Sequence, residues 1–218
     1  MKSAEDESRL HVEAHASRSE ARSGQPEAAM LRRLVEFCLA VAVIIVCSPL
    51  LVAMALVIWL DDRGPVFHAQ ERVGQGGKLF KMYKFRSMRD AGKPEEALPW
   101  TEKNDPRVTR VGRILRKTGL DELPQLFNIA RGDMSFVGPR PESPELARQF
   151  SGENAQYELR HAVRPGLTGL AQVYREYDTP AMEKLVYDLQ YVRDQSLLLD
   201  LKVMLLTVWV IIKRCCKR

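Results

Sequence analysis

In TGLDELPQLFN, Thr118 to Asn128, two carboxylates stand side by side, Asp121 and Glu122, just ahead of Pro124 and a helical pattern through Leu126, Phe127 and Ile129. Acidic residues and proline are what a helix N-terminus favours in any case, through capping, the backbone dipole and a fixed φ. The same physics serves chemistry. A carboxylate at the positive end of a helix stays ionised, so it can act as a nucleophile or hold a divalent cation. Two arginines are each followed by proline, in Gly138-Pro139-Arg140-Pro141 and Arg164-Pro165-Gly166. The proline limits backbone freedom around each guanidinium, whose fork matches phosphate oxygens two at a time. Either motif alone is also a surface arginine in a turn. Carboxylates combined with several arginines suggest phosphoryl transfer assisted by Mg²⁺.

The elements that must carry these groups begin with a membrane segment. From Phe37 to Leu60 no residue is charged, and at about 1.5 Å per residue the run could cross a bilayer core of roughly 30 Å. Ser48-Pro49 sits at its midpoint. Proline lacks an N–H and collides with the carbonyl four residues back, so a break in the helix is expected there. The residues before the run are polar and mixed in charge, which predicts a disordered leader over 1–30. The run starts too late and is too long for a cleaved signal peptide, though a signal-anchor remains the simplest alternative.

Behind the run, two short stretches with aromatic and β-branched residues flank Gly74-Gln75-Gly76-Gly77 and read as a β-hairpin. Lys78 is followed by Leu79, so the spacing of a phosphate loop is absent and a plain turn is expected. A long polar loop over 89–107 follows. Then RVTRVGRILRKTG places Val108, Val111, Ile114 and Leu115 on one helical face with arginines around the rest, a pattern of a membrane-surface helix or of a solvated one. From Pro180 a helix should turn Met182, Leu185, Leu189 and Val192 inward. The C-terminus is apolar from Val203 to Ile212, too short to span, and its Trp209, Lys213 and Arg214 suit a helix lying among headgroups.

Composition narrows the class. The 218 residues are 28% charged and 45% hydrophobic, with mean hydropathy −0.25. That argues against a polytopic membrane protein and for one packed domain with a single membrane segment. A net charge of +5 suits an anionic partner such as headgroups or a phosphorylated substrate. Nucleic acid is disfavoured, because no zinc finger, RNP or helix-turn-helix pattern is present. Cys38, Cys47, Cys215 and Cys216 form no C-x-x-C pair and lie at no ligand spacing, which points to a reducing, cytoplasmic setting.

An ordered set of motifs resembles the bacterial sugar transferases, the monotopic phosphoglycosyl transferases. It comprises the apolar segment with Ser48-Pro49, FKMYKFRSM at Phe80 to Met88, LDELPQLFN, GDMSFVGPRP, RPGLTGLAQV at Arg164 to Val173, and YDLQY at Tyr187 to Tyr191. The resemblance runs from Arg32 to about Ile212. It implies transfer of a sugar 1-phosphate from a UDP-sugar to undecaprenyl phosphate, with release of UMP. Asp121 would be the nucleophile that forms a phosphosugar intermediate, and Glu122 would support a Mg²⁺ ion held by the two carboxylates. Lys84, Arg116, Arg140, Arg164 and Asp188 match the family's substrate and phosphate positions.

The resemblance also implies a cytoplasmic-face location on the bacterial inner membrane, where nucleotide sugars meet lipid phosphate. Four basic residues precede the run (Arg18, Arg22, Arg32, Arg33) and three follow it (Arg63, Arg72, Lys78) within about 20 residues on each side. Near-equal flanks give a crossing no orientation and are easily accommodated if both lie inside. The expectation is therefore an α+β monotopic protein: a leader over 1–30, a re-entrant helix over 31–60 broken at Ser48-Pro49, and a catalytic domain over 61–218 with a small hairpin and interfacial helices. Membrane phospholipids and downstream glycosyltransferases are the further partners implied. The rival classes are a non-catalytic adaptor for anionic lipid and a lipid phosphatase using Asp121.

Overall fold

The computed structural model describes residues 26–89, 105–175 and 179–216. The leader up to residue 25 and most of the polar loop over 89–107 lie outside them, as do the side chains of Cys215 and Cys216. Residues 26–30, expected to be disordered, are already helical.

The apolar run forms helix α1, Pro26–Asp62, and the helix passes uninterrupted through Pro49. This corrects the expected break, and the reason is local. Pro49 cannot donate to the carbonyl of Ile45, but the hydroxyl of Ser48 donates to that same oxygen at 2.8 Å. The serine thus satisfies the acceptor that the proline would leave orphaned, a substitution that matters most in an apolar setting. Both halves of α1 lie against the rest of the protein. Ala40, Val43 and Ile44 pack with Met82, Leu126, Ile129 and Met134, while Leu51, Met54, Ala55 and Ile58 pack with Phe85 and Leu115. Leu123 touches both groups.

Strands β1, Phe67–Val73, and β2, Leu79–Phe85, form the antiparallel hairpin, with Phe67 opposite Phe85 and Val73 opposite Leu79. The turn between them is a short 3₁₀ turn over Gln75–Gly77. Helix α2, Arg110–Thr118, is capped by Thr109, whose hydroxyl accepts from the backbone N–H of Gly112 at 2.8 Å. Leu115 is buried as expected, but Ile114 is 65% exposed. Gly112 takes the inward place instead, so close to Ser87, two residues beyond β2, that a Cβ would lie 1.9 Å from its carbonyl oxygen. The helix is pinned to the end of the hairpin by the absence of a side chain.

A 3₁₀ turn over Leu120–Glu122 leads into α3, Gln125–Arg131. Strand β3, Ser135–Val137, then pairs in parallel with β4, Gly166–Thr168. Between them lie α4, Pro144–Glu153, and a 3₁₀ stretch over Ala155–Ala162. Three helices close the chain: α5, Leu170–Tyr174, α6, Ala181–Asp194, and α7, Leu197–Cys216. In α6 Leu185 is buried, with Met182 and Leu189 packed beside it. Helix α7 begins earlier than its apolar run, buries Val203 and leaves Leu198, Leu201, Leu205, Val208 and Trp209 exposed. The fold is α+β, with two small two-stranded sheets and a long apolar helix compatible with membrane association.

Candidate active site

Lys84 reaches the site because β2 is locked to α3. The side chain of Asn128 accepts from the backbone N–H of Tyr83 at 3.0 Å and donates to the carbonyl of Lys81 at 2.7 Å. It satisfies the outer edge of β2 as a third strand would. Asn128 is fully buried, on a helix that also buries Gln125 among Leu126 and Ile129. An amide between Phe127 and Ile129 is the one sequence signal for it.

With strand and helix fixed together, the Lys84 ammonium donates to Glu122 Oε1 at 2.9 Å. Arg140 Nη2 donates to the same oxygen at 2.7 Å. Burial alone would raise the Glu122 carboxyl, but Arg140 and Lys84 more than offset it and hold it well below the usual carboxylate range. Burial and the Arg140 charge lower Lys84, while Glu122 opposes them. Asp121 is 9% exposed. Burial and its neighbour Glu122 push its carboxyl up, against the pull of Lys84, Arg116 and Arg140. It sits in the 3₁₀ turn before α3 rather than inside a regular helix, so the simple expectation of an ionised helix-terminal carboxylate understates the role of those cations. Among the described residues none donates a hydrogen bond to Asp121. Arg116 donates to Met88 Sδ at 3.4 Å.

Asp121, Glu122, Lys84, Arg116 and Arg140 are therefore one electrostatic group: three cations around two adjacent carboxylates. Arg164 and Asp188 are held in other ways. Pro139 O accepts from Gly166 N at 2.9 Å, and a Cβ on Gly166 would lie 2.1 Å from Gly138 N. The two proline-linked arginine motifs thus meet backbone to backbone, yet their side chains part. Arg164 pairs with Glu36 of α1 at 2.8 Å. Asp188 is 4% exposed and accepts from Arg160 at 3.0 Å, with a second guanidinium nitrogen at 2.7 Å. Arg160, not singled out from the sequence, also donates to Tyr157 Oη and to the carbonyl of Arg140, each at 2.8 Å. Asp188 is thereby connected to the site through Arg160 and the Arg140 backbone. Nothing in local spacing pairs residue 160 with residue 188.

Comparison with known proteins bears on this arrangement. The family model described as bacterial sugar transferase matches residues 27–214. The chain belongs to the bacterial sugar transferase family. It is 42% identical over 190 residues to a UDP-N-acetylgalactosamine-undecaprenyl-phosphate N-acetylgalactosaminephosphotransferase from Aeromonas hydrophila, covering 86% of this chain and 45% of the relative. It is 43% identical over 185 residues to the UDP-glucose:undecaprenyl-phosphate glucose-1-phosphate transferase of Escherichia coli strain K12, covering 83% and 40%. Against the exopolysaccharide production protein PSS of Rhizobium leguminosarum bv. phaseoli it is 39% identical over 187 residues, covering 82% and 94%. This sugar transferase thus spans less than half the length of the first two relatives and nearly all of the third.

Proposed function

We propose that this sugar transferase moves a sugar 1-phosphate from a UDP-sugar to undecaprenyl phosphate as the first membrane step in building an exopolysaccharide or related glycan. The observation that carries the reading is Asp121, a carboxylate to which no described residue donates a hydrogen bond, beside a carboxylate clasped by Lys84 and Arg140. In the first step an Asp121 oxygen attacks the sugar-bearing β-phosphorus. The bond from that phosphorus to the bridging oxygen breaks, and UMP leaves with the electron pair. In the second, a phosphate oxygen of undecaprenyl phosphate attacks the same phosphorus and Asp121 is released as carboxylate. Splitting the displacement keeps two anionic substrates from having to face one another directly. Lys84, Arg116 and Arg140 supply the charge that steadies the phosphates, and the Asp188–Arg160 pair keeps Arg140 in place.

A magnesium ion suits this donor set. Magnesium is commonly held by one or two carboxylates and the substrate's own phosphates rather than by an all-protein cage. Among the described residues no cluster of three or more acidic, histidine or cysteine ligands forms such a cage. Asp121 and the second oxygen of Glu122 would hold it, and the ion would neutralise phosphate charge.

The proposed site is the cytoplasmic face of the bacterial inner membrane, where a UDP-sugar meets lipid phosphate, and its monotopic part is supported by the packing of α1. At about 1.5 Å per residue a helix of this length exceeds the bilayer core, yet contacts with the domain run along both of its halves. Near one end, Arg33 donates to the carbonyls of Ile129 and Ala130. At the other, Asp62 pairs with Arg86. A helix that crossed the membrane would carry one of these ends away from the domain. Docking of both ends thus supports a helix that does not cross, and a re-entrant course asks that continuous helix to bend at its proline rather than break there.

The test uses the full chain in nanodiscs with a panel of UDP-sugars. One sugar should release UMP and yield polyprenyl diphosphate sugar when undecaprenyl phosphate is present. Without acceptor, the protein should gain one phosphosugar on the peptide containing Asp121. Asp121→Asn should abolish both while leaving membrane association intact. Retained turnover in Asp121→Asn, or a label on another peptide, would remove Asp121 as nucleophile.

A further inference from the structure

A cavity of about 140 Å³ lies where three elements meet: Val52 and Ala55 of α1, Phe67 and Phe85 of the hairpin, and Pro124 and Phe127 at the start of α3. Its lining is wholly apolar. Phe67 and Phe85 stack with ring centroids 5.3 Å apart and form one flat wall. Val52, Phe67 and Phe127 at the lip are 68%, 53% and 42% exposed, so large apolar side chains surround an opening that no described residue covers. Val52 and Leu56, one helical turn apart, continue the lip along the exposed face of α1. The floor is close to the chemistry. Pro124 follows Asp121 by three residues, which limits their Cα atoms to about 11 Å apart, and Phe85 adjoins Lys84 in β2.

We propose that this groove holds the isoprene chain of the lipid acceptor next to its phosphate. The proposal rests on the reading of the protein as a transferase to undecaprenyl phosphate. Of the two substrates in that reaction, only the acceptor carries hydrocarbon. Size agrees: an apolar protein cavity of about 150 Å³ takes a six-carbon ring, and an isoprene unit has five carbons. The chemistry next to the phosphate decides between lipids. A phospholipid places glycerol esters there, and their carbonyls would go unpaired in an apolar groove, which is costly. A polyprenyl phosphate passes directly from phosphate to hydrocarbon. The groove therefore favours the acceptor over the phospholipids that surround it.

Two measurements on the full chain in nanodiscs test this. Val52→Trp fills the lip from an exposed helix position. It should raise KM for undecaprenyl phosphate about tenfold or more, because several buried carbons are lost to binding, with KM for the UDP-sugar changed far less. An equal rise in both, or none in either, overturns the groove. Because that variant could disturb α1, the wild-type protein is also photolysed with a polyprenyl phosphate carrying a diazirine on the isoprene unit nearest the phosphate. The label should fall on the peptides containing Val52 or Phe127, be displaced by undecaprenyl phosphate, and resist phosphatidylethanolamine. Equal displacement by phosphatidylethanolamine, or a label confined to the exposed face of α7, overturns it. UMP release by the wild-type protein with undecaprenyl phosphate is scored separately. If release fails, the transferase reading fails; if release persists while the label falls elsewhere, only the groove assignment does.

Discussion

Two glutamates in this molecule are each gripped by two cations, and they do opposite work. Glu122 lies between Lys84 and Arg140. Glu36 lies between Arg32 and Arg164 and also accepts from Ser135 Oγ at 2.5 Å. Around Glu36 the charges close on themselves. Arg32 reaches on to Asp200 at 2.8 Å and to the hydroxyl of Tyr191 at 3.0 Å, so two arginines are each paired directly with a carboxylate, and the nearby Arg33 is engaged by the Ile129 and Ala130 carbonyls. Around Glu122 three cations face two carboxylates, and one of those, Asp121, has no hydrogen-bond donor among the described residues. A balanced cluster braces elements against each other. A cluster with surplus positive charge and an unengaged carboxylate is ready for an anionic substrate.

The largest effect should come from breaking the unbalanced cluster. Glu122→Gln removes the charge shared by Lys84 and Arg140, and kcat/KM should fall about 10²–10³-fold. The thermal midpoint should move little, since the cations still reach solvent and substrate. A matching loss of thermal stability would instead make Glu122 a brace. The balanced cluster should give the reverse pattern. Glu36→Gln leaves the half-buried Arg164 without its carboxylate, while Arg32 keeps Asp200, and should cost about 1–3 kcal/mol of stability, read as a lowered denaturation midpoint in detergent. Activity per folded molecule should be largely kept.

Arginine to lysine sharpens the contrast, because it keeps charge and loses the fork. Arg140→Lys should slow turnover about tenfold, equivalent to roughly 1.4 kcal/mol in the barrier. Arg164→Lys should act mainly on stability. Equal losses of kcat for both would return Arg164 to the phosphate site, as family resemblance implies.

The smallest effect lies beside Arg140, at His161. Burial and the neighbouring Arg160 push its pKa down to about 4 from the usual 6.5. The unfolded chain takes up a proton near 6.5 and the folded chain only near 4. Stability is therefore fully present above pH 6.5 and falls as pH drops through that window. Because the side chain is partly exposed, we expect a loss of about 1 kcal/mol, or about 2–4 °C in thermal midpoint. His161→Gln should flatten that part of the pH profile; an unchanged profile would mean that His161 protonates freely in the fold.

What could be read from the sequence differs between these clusters for a physical reason. Asp121, Glu122, Lys84 and Arg140 each sit in a short motif whose residue types suggest charge on phosphate. The hairpin and α1 follow from a glycine turn and an apolar run. The brace is built from partners far apart in the chain, and a sequence displays a residue's type without its partner. Arg164 has the same proline-linked setting as Arg140, so the two look alike until the backbone turns their side chains to different carboxylates. The partner of Asp188 is hidden in the same way, because Arg160 lies 28 residues earlier. The Ser48-Pro49 pair was visible, but its proline was weighed without the hydroxyl that compensates for it. Ile114 fitted an apolar stripe that Gly112 in fact completes.

The brace at Glu36 has a consequence for how the protein is made. Arg32 and the tyrosine that accepts its hydrogen bond are 159 residues apart. At about 5–20 residues per second of synthesis, roughly 8–32 s separate their emergence from the ribosome. From the start of that interval α1 is long enough to seek the membrane, while Arg32 lacks its long-range partners to the end of it, and Arg33 and Glu36 gain theirs, between Ile129 and Arg164, only in its later part. Those charges must stay hydrated, which keeps that end of the helix at the water boundary until Tyr191 and Asp200 arrive. The helix is translated first and secured last, and membrane insertion becomes a step in the folding of the C-terminal helices.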